Sequence, residues 1–176
     1  MNQAPAAVIR QAGGEDLQAV IEVGLRTWPA TYAPIAGKDY VAMGLSKWWT
    51  DEATIPAIRA GRVLVAEVDG EIVGMTSFGP LDGHFMIWKL YVVPEAQGAG
   101  LGHRLLTAAI NRAHSEDYEQ VRLSYLVGND HAATFYERHG FVEYEREHGG
   151  SGIPDSIWVR LQLRDPKMRN PKENDR

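Results

Sequence analysis

Residues 91–102, YVVPEAQGAGLG, join an apolar run through a proline to a glycine-rich turn. Glycines stand at positions 98, 100 and 102, and a helical pattern of apolar residues follows at once. Such a turn exposes unpaired backbone N–H groups at the positive end of a helix dipole, where phosphate groups bind. Glycine also lets the backbone approach an anion without interference from a Cβ atom. The segment therefore predicts either a phosphate-binding loop or a turn that lets helix and strand pack closely.

Two familiar phosphate-binding loops do not fit this segment. The dinucleotide fingerprint G-x-G-x-x-G, started at Gly98, needs a glycine where the chain has His103. The P-loop G-x-x-x-x-G-K-[ST] needs a lysine, and none follows Gly102. The pattern that does fit is Q-x-x-G-x-G, from Gln97 to Gly102. Both nucleotide-binding alternatives are therefore disfavoured.

A second motif lies downstream, where LSYLVGNDHAATFYERHGF repeats the order of strand, polar residue and helix. Together the two segments resemble the GNAT superfamily of N-acetyltransferases, which combines [QR]-x-x-G-x-[GA] with a later N-x-x-A-x-x-x-Y-x-x-x-G-F. The second pattern is matched by Asn129, Ala132, Tyr136, Gly140 and Phe141. The resemblance covers roughly residues 6–163 and implies acetyl-CoA as the cofactor.

In this family the backbone of the strand before the glycine turn pairs with the pantetheine arm of acetyl-CoA, and the N–H groups of the turn hold the pyrophosphate. Asn129 is implied to hydrogen-bond the pantetheine arm, although an N-cap for the following helix explains an asparagine there equally well. The acetyl-CoA site implied by the resemblance comprises Leu90, Tyr91, Val92, Gln97, Gly98, Ala99, Gly100, Leu101, Gly102, His103 and Asn129.

The resemblance also implies catalytic residues. Tyr136 matches the family tyrosine that protonates the departing CoA thiolate as general acid, whereas a tyrosine packed in the core is the alternative. Two positions that commonly hold a glutamate in the family hold Ser124 and, approximately, Met86 here. We predict His84, two residues from Met86 on the same strand face, as the general base, with a water relay or a plain turn histidine as alternatives.

The sequence says less about the residues that bind the acceptor, the amine that receives the acetyl group. By analogy with the family, Trp28 and Tyr32 are predicted to bind the amine substrate, with Trp48 or Trp49 as further candidates. Anchoring of helices onto the sheet is the stronger alternative for these aromatic residues.

The remaining patterns predict the elements that position these residues. Two β-branched runs joined at Asp69-Gly70 predict a hairpin, and residues 101–113 carry apolar side chains at helical spacing. Prolines at positions 29, 34 and 56 predict breaks between short helices. The fold class is therefore mixed α/β, and the resemblance implies a central, mostly antiparallel sheet of about seven strands flanked by helices.

Length and composition limit the number of domains and the kinds of site that the chain can form. The chain has 176 residues and no cysteine, which suits one domain and excludes disulfides and thiolate metal sites; no metal site is predicted. We expect a single GNAT domain over residues 1–164 and a disordered polar tail over residues 165–176. Neither a signal-peptide pattern nor a membrane-spanning run is present, so a cytoplasmic protein without membrane contact is expected. The net charge of -5 argues against a nucleic-acid partner.

These observations predict an N-acetyltransferase that transfers the acetyl group of acetyl-CoA to a primary amine of a small molecule or peptide. Transfer is expected by direct attack in a ternary complex. The alternative is a non-catalytic acyl-CoA-binding sensor of the same fold. A homodimer paired through terminal strands is compatible with the family resemblance.

Overall fold

The computed structural model describes residues 6–163. The predicted tail over residues 165–176 and both ends of the predicted domain lie outside the described residues. The helices are α1 Leu17–Ala36, α2 Lys38–Trp48, α3 Asp51–Arg59, α4 Leu101–Ser115 and α5 Asp130–Arg138. The strands are β1 Ala7–Gln11, β2 Val63–Val68, β3 Glu71–Leu81, β4 His84–Val92, β5 Gln120–Leu126, β6 Val142–Glu147 and β7 Ser156–Gln162.

The strands form a 7-stranded sheet in the order β1-β2-β3-β4-β5-β7-β6. Every neighbouring pair is antiparallel except β4 and β5, which are parallel. Helix α4 covers one face of the sheet with Leu105, Leu106 and Ala109, all fully buried. Helices α1 to α3 contribute to a second buried cluster around Val20, Val23 and other apolar side chains. The predicted mixed, mostly antiparallel fold is confirmed.

The predicted hairpin forms between β2 and β3. Asp69 has a φ of 52° and Gly70 a φ of 81°, so both turn residues are left-handed, as a type I′ turn requires. The predicted helix after the glycine turn also forms, and it buries its apolar face against the sheet.

The predicted breaks at the prolines are wrong. Helix α1 continues through Pro29 and Pro34, and α3 contains Pro56. A proline removes the hydrogen bond to the carbonyl four residues earlier. In α1 those carbonyls belong to Leu25 and Ala30, which are exposed, so water can satisfy them while the opposite face of the helix stays packed.

A β-bulge interrupts the pairing of β3 with β4. Ser77 pairs with Lys89 and Phe78 pairs with Ile87, so Trp88 is an extra residue in β4. An inserted residue shifts the alternation of side chains between the two faces of a strand.

The shift decides which side chains of β4 face which helices. Ile87 belongs to the core cluster under α4, and after the bulge Leu90 packs against that same cluster. Tyr91 instead packs on the opposite face, against the cluster formed with α1 to α3. Lys89, two residues before Tyr91, lies on that face as well.

Candidate active site

The parallel strands β4 and β5 separate soon after they meet. Their pairing is confined to Phe85 with Val121 and Met86 with Arg122, although β4 runs on to Val92 and β5 to Leu126. Beyond the paired residues a cleft opens between the two strands. The edge of β4 that faces β5 has no strand partner after Met86, so its backbone can pair with an extended ligand there.

A cavity of about 280 Å³, here called the first cavity, opens between this cleft and the glycine turn. Ten of the eleven predicted acetyl-CoA residues line it; Ala99 belongs to the same turn but does not line the cavity. The lining residues from the predicted set are Leu90, Tyr91, Val92, Gln97, Gly98, Gly100, Leu101, Gly102, His103 and Asn129.

The glycine turn has the conformation that an anion site needs. Gly98 has a φ of 84° and Gly100 a φ of 79°, and a Cβ atom at either position would meet open space. Gly100 is the N-cap of α4, and its carbonyl accepts from the N–H of Arg104 at 3.1 Å. The N–H groups of the first turn before Arg104 have no partner within the helix, so they can bind phosphate oxygens.

Gln97 holds the start of this turn in place. Its side-chain amide donates to the carbonyl of Val92 at 2.9 Å, which connects the turn to the end of β4. The cleft beside β4 and the open glycine turn fit the two parts of acetyl-CoA that the resemblance assigns to them, which are the pantetheine arm and the pyrophosphate.

Asn129 caps α5. Its Oδ1 accepts from the N–H of Ala132 at 3.2 Å, so the N-cap alternative from the sequence is confirmed. Because the side chain also lines the first cavity, its NH₂ group is available to a ligand. The two interpretations are therefore compatible.

Tyr136 lies at the inner end of the first cavity. Its side chain is 8% exposed and packs against the rings of Tyr125 and Phe141, with centroids 6.1 and 5.5 Å away. Burial, and then the neighbouring phenol of Tyr32, raise the pKa of Tyr136 well above its usual value. The hydroxyl therefore keeps its proton at neutral pH, as a proton donor must.

A second cavity, of about 550 Å³, lies on the α1–α3 face of the sheet. The predicted substrate residues Trp28 and Tyr32 both line it, and both also belong to the buried core, with 5% and 9% exposure. Tyr40 stacks on Trp28 at 5.7 Å and Trp48 lies at the same distance from it. The aromatic residues thus anchor α1 and α2 and form a cavity wall at once.

A small cavity of about 60 Å³, here called the connecting cavity, shares lining residues with both of these. It shares Tyr136 and Asn129 with the first cavity, and Lys89 and Ser124 with the second. The two larger cavities therefore adjoin at this point, beside Tyr136.

His84 does not lie near this arrangement. It begins β4, seven residues before Tyr91, or roughly 20 Å away at about 3.3 Å per residue. Burial and the guanidinium of Arg122 lower its pKa. Met86, buried at 3% exposure, offers no basic group either. The structure thus brings Tyr136, Trp28 and Tyr32 to adjoining cavities, and it leaves His84 outside them.

Sequence reasoning missed Lys89. Its ammonium donates to the carbonyl of Trp48 and lies 4.1 Å from the ring centroid of Trp49. Burial lowers its pKa to about 8. The available signal was a single lysine inside the otherwise apolar run HFMIWKLYVV.

Comparison with known proteins gives the family. A sequence model of the Acetyltransferase (GNAT) domain matches residues 59–143. A probable N-acetyltransferase of Mycobacterium tuberculosis is 31% identical over 139 residues, which cover 76% of this chain and 78% of that protein. The chain belongs to the GNAT superfamily.

Two further similarities differ in extent. The mycothiol acetyltransferase of Paenarthrobacter aurescens is 34% identical over 93 residues, so this chain spans only 29% of that protein. The crystal structure of the PaiA N-acetyltransferase from Thermoplasma acidophilum, in complex with coenzyme A, superposes with a TM-score of 0.79 at 23% identity. That alignment covers 89% of this chain and 99% of the other, and it shows that the two share a fold.

Membership confirms the predicted resemblance and acetyl-CoA as the acyl donor. It also favours the predicted N-acetyltransferase over a non-catalytic sensor. Within residues 6–163, no helix has the length and apolarity to cross a bilayer, and no three acidic or histidine side chains are grouped as metal ligands would be.

Proposed function

We propose that this GNAT enzyme acetylates a primary amine of a small molecule or peptide, and that donor and acceptor bind in the first and second cavities respectively. The observation that carries the proposal is the connecting cavity, which shares Tyr136 with the first cavity and Lys89 and Ser124 with the second. It supports direct transfer, because both substrates can be bound at once and no side chain needs to carry the acetyl group.

Bound acetyl-CoA supplies the activated acetyl group. The backbone of Leu90, Tyr91 and Val92 binds the extended arm at the free side of β4. The N–H groups at the start of α4 hold the pyrophosphate, and Gly98 and Gly100 leave room for it. Tyr136 carries a proton on its phenolic oxygen and gives it to the departing sulfur.

The attacking amine must lose a proton as well. His84 lies at the start of β4, away from the cavities, so it is not assigned as the base that takes this proton. A water relay, the other base considered, agrees with the exposed position of Ser124, which lines both the second and the connecting cavity. A cytoplasmic location and a homodimer stay predictions from the sequence.

Calorimetric titration with acetyl-CoA tests the donor site. Gly100→Asp places a carboxylate in the anion site and should weaken binding at least tenfold. Gly70→Asp is the matched control: Gly70 has a φ of 81° and open space at its Cβ, but it lies in the β2–β3 turn. Equal binding by native chain and Gly100→Asp would contradict the proposed donor site.

A further inference from the structure

The ammonium of Lys89 is a partly buried cation on the wall of the second cavity. It also borders the connecting cavity that leads to Tyr136. The β-bulge at Trp88 places Lys89 on this face of β4. A charged side chain therefore lies between the cavity proposed for the acceptor and the Tyr136 end of the donor cavity.

Lys89 lacks the carboxylate partner that a cation withdrawn from water usually has. Its contacts are the Trp48 carbonyl and the Trp49 ring, and no carboxylate in residues 6–163 lies within ion-pair distance of it. Burial alone lowers its pKa, with no neighbouring charge to oppose it. An ammonium removed from water without a counter-ion is costly, and a ligand anion would offset that cost.

The rest of the second cavity indicates what surrounds that anion. Aromatic rings from Trp28, Tyr40 and Trp48 form an apolar wall. Glu147 is the one carboxylate among the described residues that line the cavity, and it is exposed on β6. A volume of about 550 Å³ lies within the usual range for small-molecule sites.

We infer that the acceptor is an amine that also carries a carboxylate, of the size and kind of an aromatic or apolar amino acid, and that Lys89 binds this carboxylate. The inference rests on the proposed function, because it assigns the second cavity to the acceptor. Since Lys89 borders the connecting cavity, the carboxylate lies close to the reacting amine, as it does in an α-amino acid. A polyamine would instead bring a second cation toward Lys89.

Three probes that differ only at one group test this assignment: phenylalanine, phenylalaninamide and 2-phenylethylamine. CoA release gives kcat/KM for each with the native chain. Phenylalanine should exceed both others by about tenfold or more, the usual contribution of a charge-assisted hydrogen bond. Its amine is intermediate in basicity between those of the other two, so a preference over both cannot come from amine basicity.

Variants of Lys89 then test whether this residue binds the carboxylate. Lys89→Met should lower the acid-to-amide ratio by about tenfold or more, and Lys89→Arg should keep part of the preference. Lys47→Met is the matched control, because Lys47 lies over the Trp48 ring at 5.4 Å but does not line the cavity. Its ratio should equal that of the native chain.

The outcomes separate the two proposals. If the native chain does not acetylate phenylalanine, or Lys89→Met retains the native ratio, the carboxylate assignment is overturned. Acetylation of the amide or of 2-phenylethylamine in that case leaves the proposed function standing. If the native chain does not bind acetyl-CoA, the proposed function itself is overturned.

Discussion

The phenolic oxygens of Tyr32 and Tyr91 lie 2.9 Å apart, in a hydrogen bond that joins α1 to β4. Their rings meet edge to face, with centroids 6.4 Å apart. Burial raises the pKa of both hydroxyls, so the bond is one between neutral phenols at physiological pH. It connects the helix that forms the acceptor wall to the strand proposed to bind the donor.

Tyr32→Phe removes one partner of this bond. We expect the free energy of unfolding to fall by about 1–3 kcal/mol, because the buried Tyr91 hydroxyl then loses its phenolic partner. In the double variant Tyr32→Phe/Tyr91→Phe the loss should be smaller than the sum of the two single losses. Urea unfolding of the native chain, the two single variants and the double variant measures these losses. Strictly additive losses would mean that the bond does not couple α1 to β4.

Tyr136→Phe should separate chemistry from binding. Loss of a general acid typically lowers kcat by about 10²–10⁴-fold, whereas the ring packing against Tyr125 and Phe141 is kept. Affinity for acetyl-CoA, measured by calorimetry, should stay within about twofold of native. Tyr118→Phe removes a phenol elsewhere, beside Phe85, and serves as the control. A fully active Tyr136→Phe would leave Tyr136 with a packing role only.

Asn129 can be tested for its two roles separately. Asn129→Ala should lower the free energy of unfolding by about 0.5–2 kcal/mol through loss of the α5 cap. Asn129→Asp keeps an oxygen that can accept from the Ala132 N–H, so its stability should stay near native. It has no NH₂ donor, however, and should bind acetyl-CoA more weakly. Native affinity in Asn129→Asp, measured by calorimetry, would reduce Asn129 to a helix cap.

The donor side of this site could be predicted from the sequence because its signals are local. Gly98 and Gly100 indicate left-handed backbone, and the residues after them indicate the start of a helix. A few neighbouring positions are therefore enough to predict an anion-binding turn. The Asp69-Gly70 turn is local in the same sense. Each of these predictions depends on contacts within one turn of chain.

The acceptor side depends on contacts between distant parts of the chain. No local pattern indicates the bulge at Trp88, which arises from the pairing of β3 with β4 and places Lys89 beside α2 and α3. That His84 lies outside the cavities around Tyr136 likewise depends on where β5 and α5 lie. The helix break predicted at Pro29 is wrong because packing of the opposite face of α1 offsets the lost hydrogen bond.

The buried carboxylate of Asp16 should make stability depend on pH. Its two oxygens accept from the Arg10 guanidinium at 2.7 and 2.9 Å and from the Gly13 N–H at 2.8 Å. The Arg10 hydrogen bond holds the pKa of Asp16 below its usual value of 3.8, although burial opposes this. Because the folded-state pKa is the lower one, the contribution of Asp16 is present above about pH 4 and is lost as pH falls below it.

Asp16→Asn should therefore lower the free energy of unfolding at pH 7, by about 1–3 kcal/mol for the lost charged hydrogen bonds. The difference from the native chain should shrink as pH falls from 4 toward 3, because the unfolded chain takes up a proton at Asp16 there, whereas the lowered pKa keeps the folded carboxylate ionised. Urea unfolding at each pH measures the difference, with Glu15→Gln, a change at the exposed neighbour, as control. A difference that stays constant down to pH 3 would mean that Asp16 acts through shape and neutral hydrogen bonds, because an ionised carboxylate cannot contribute independently of pH in that range.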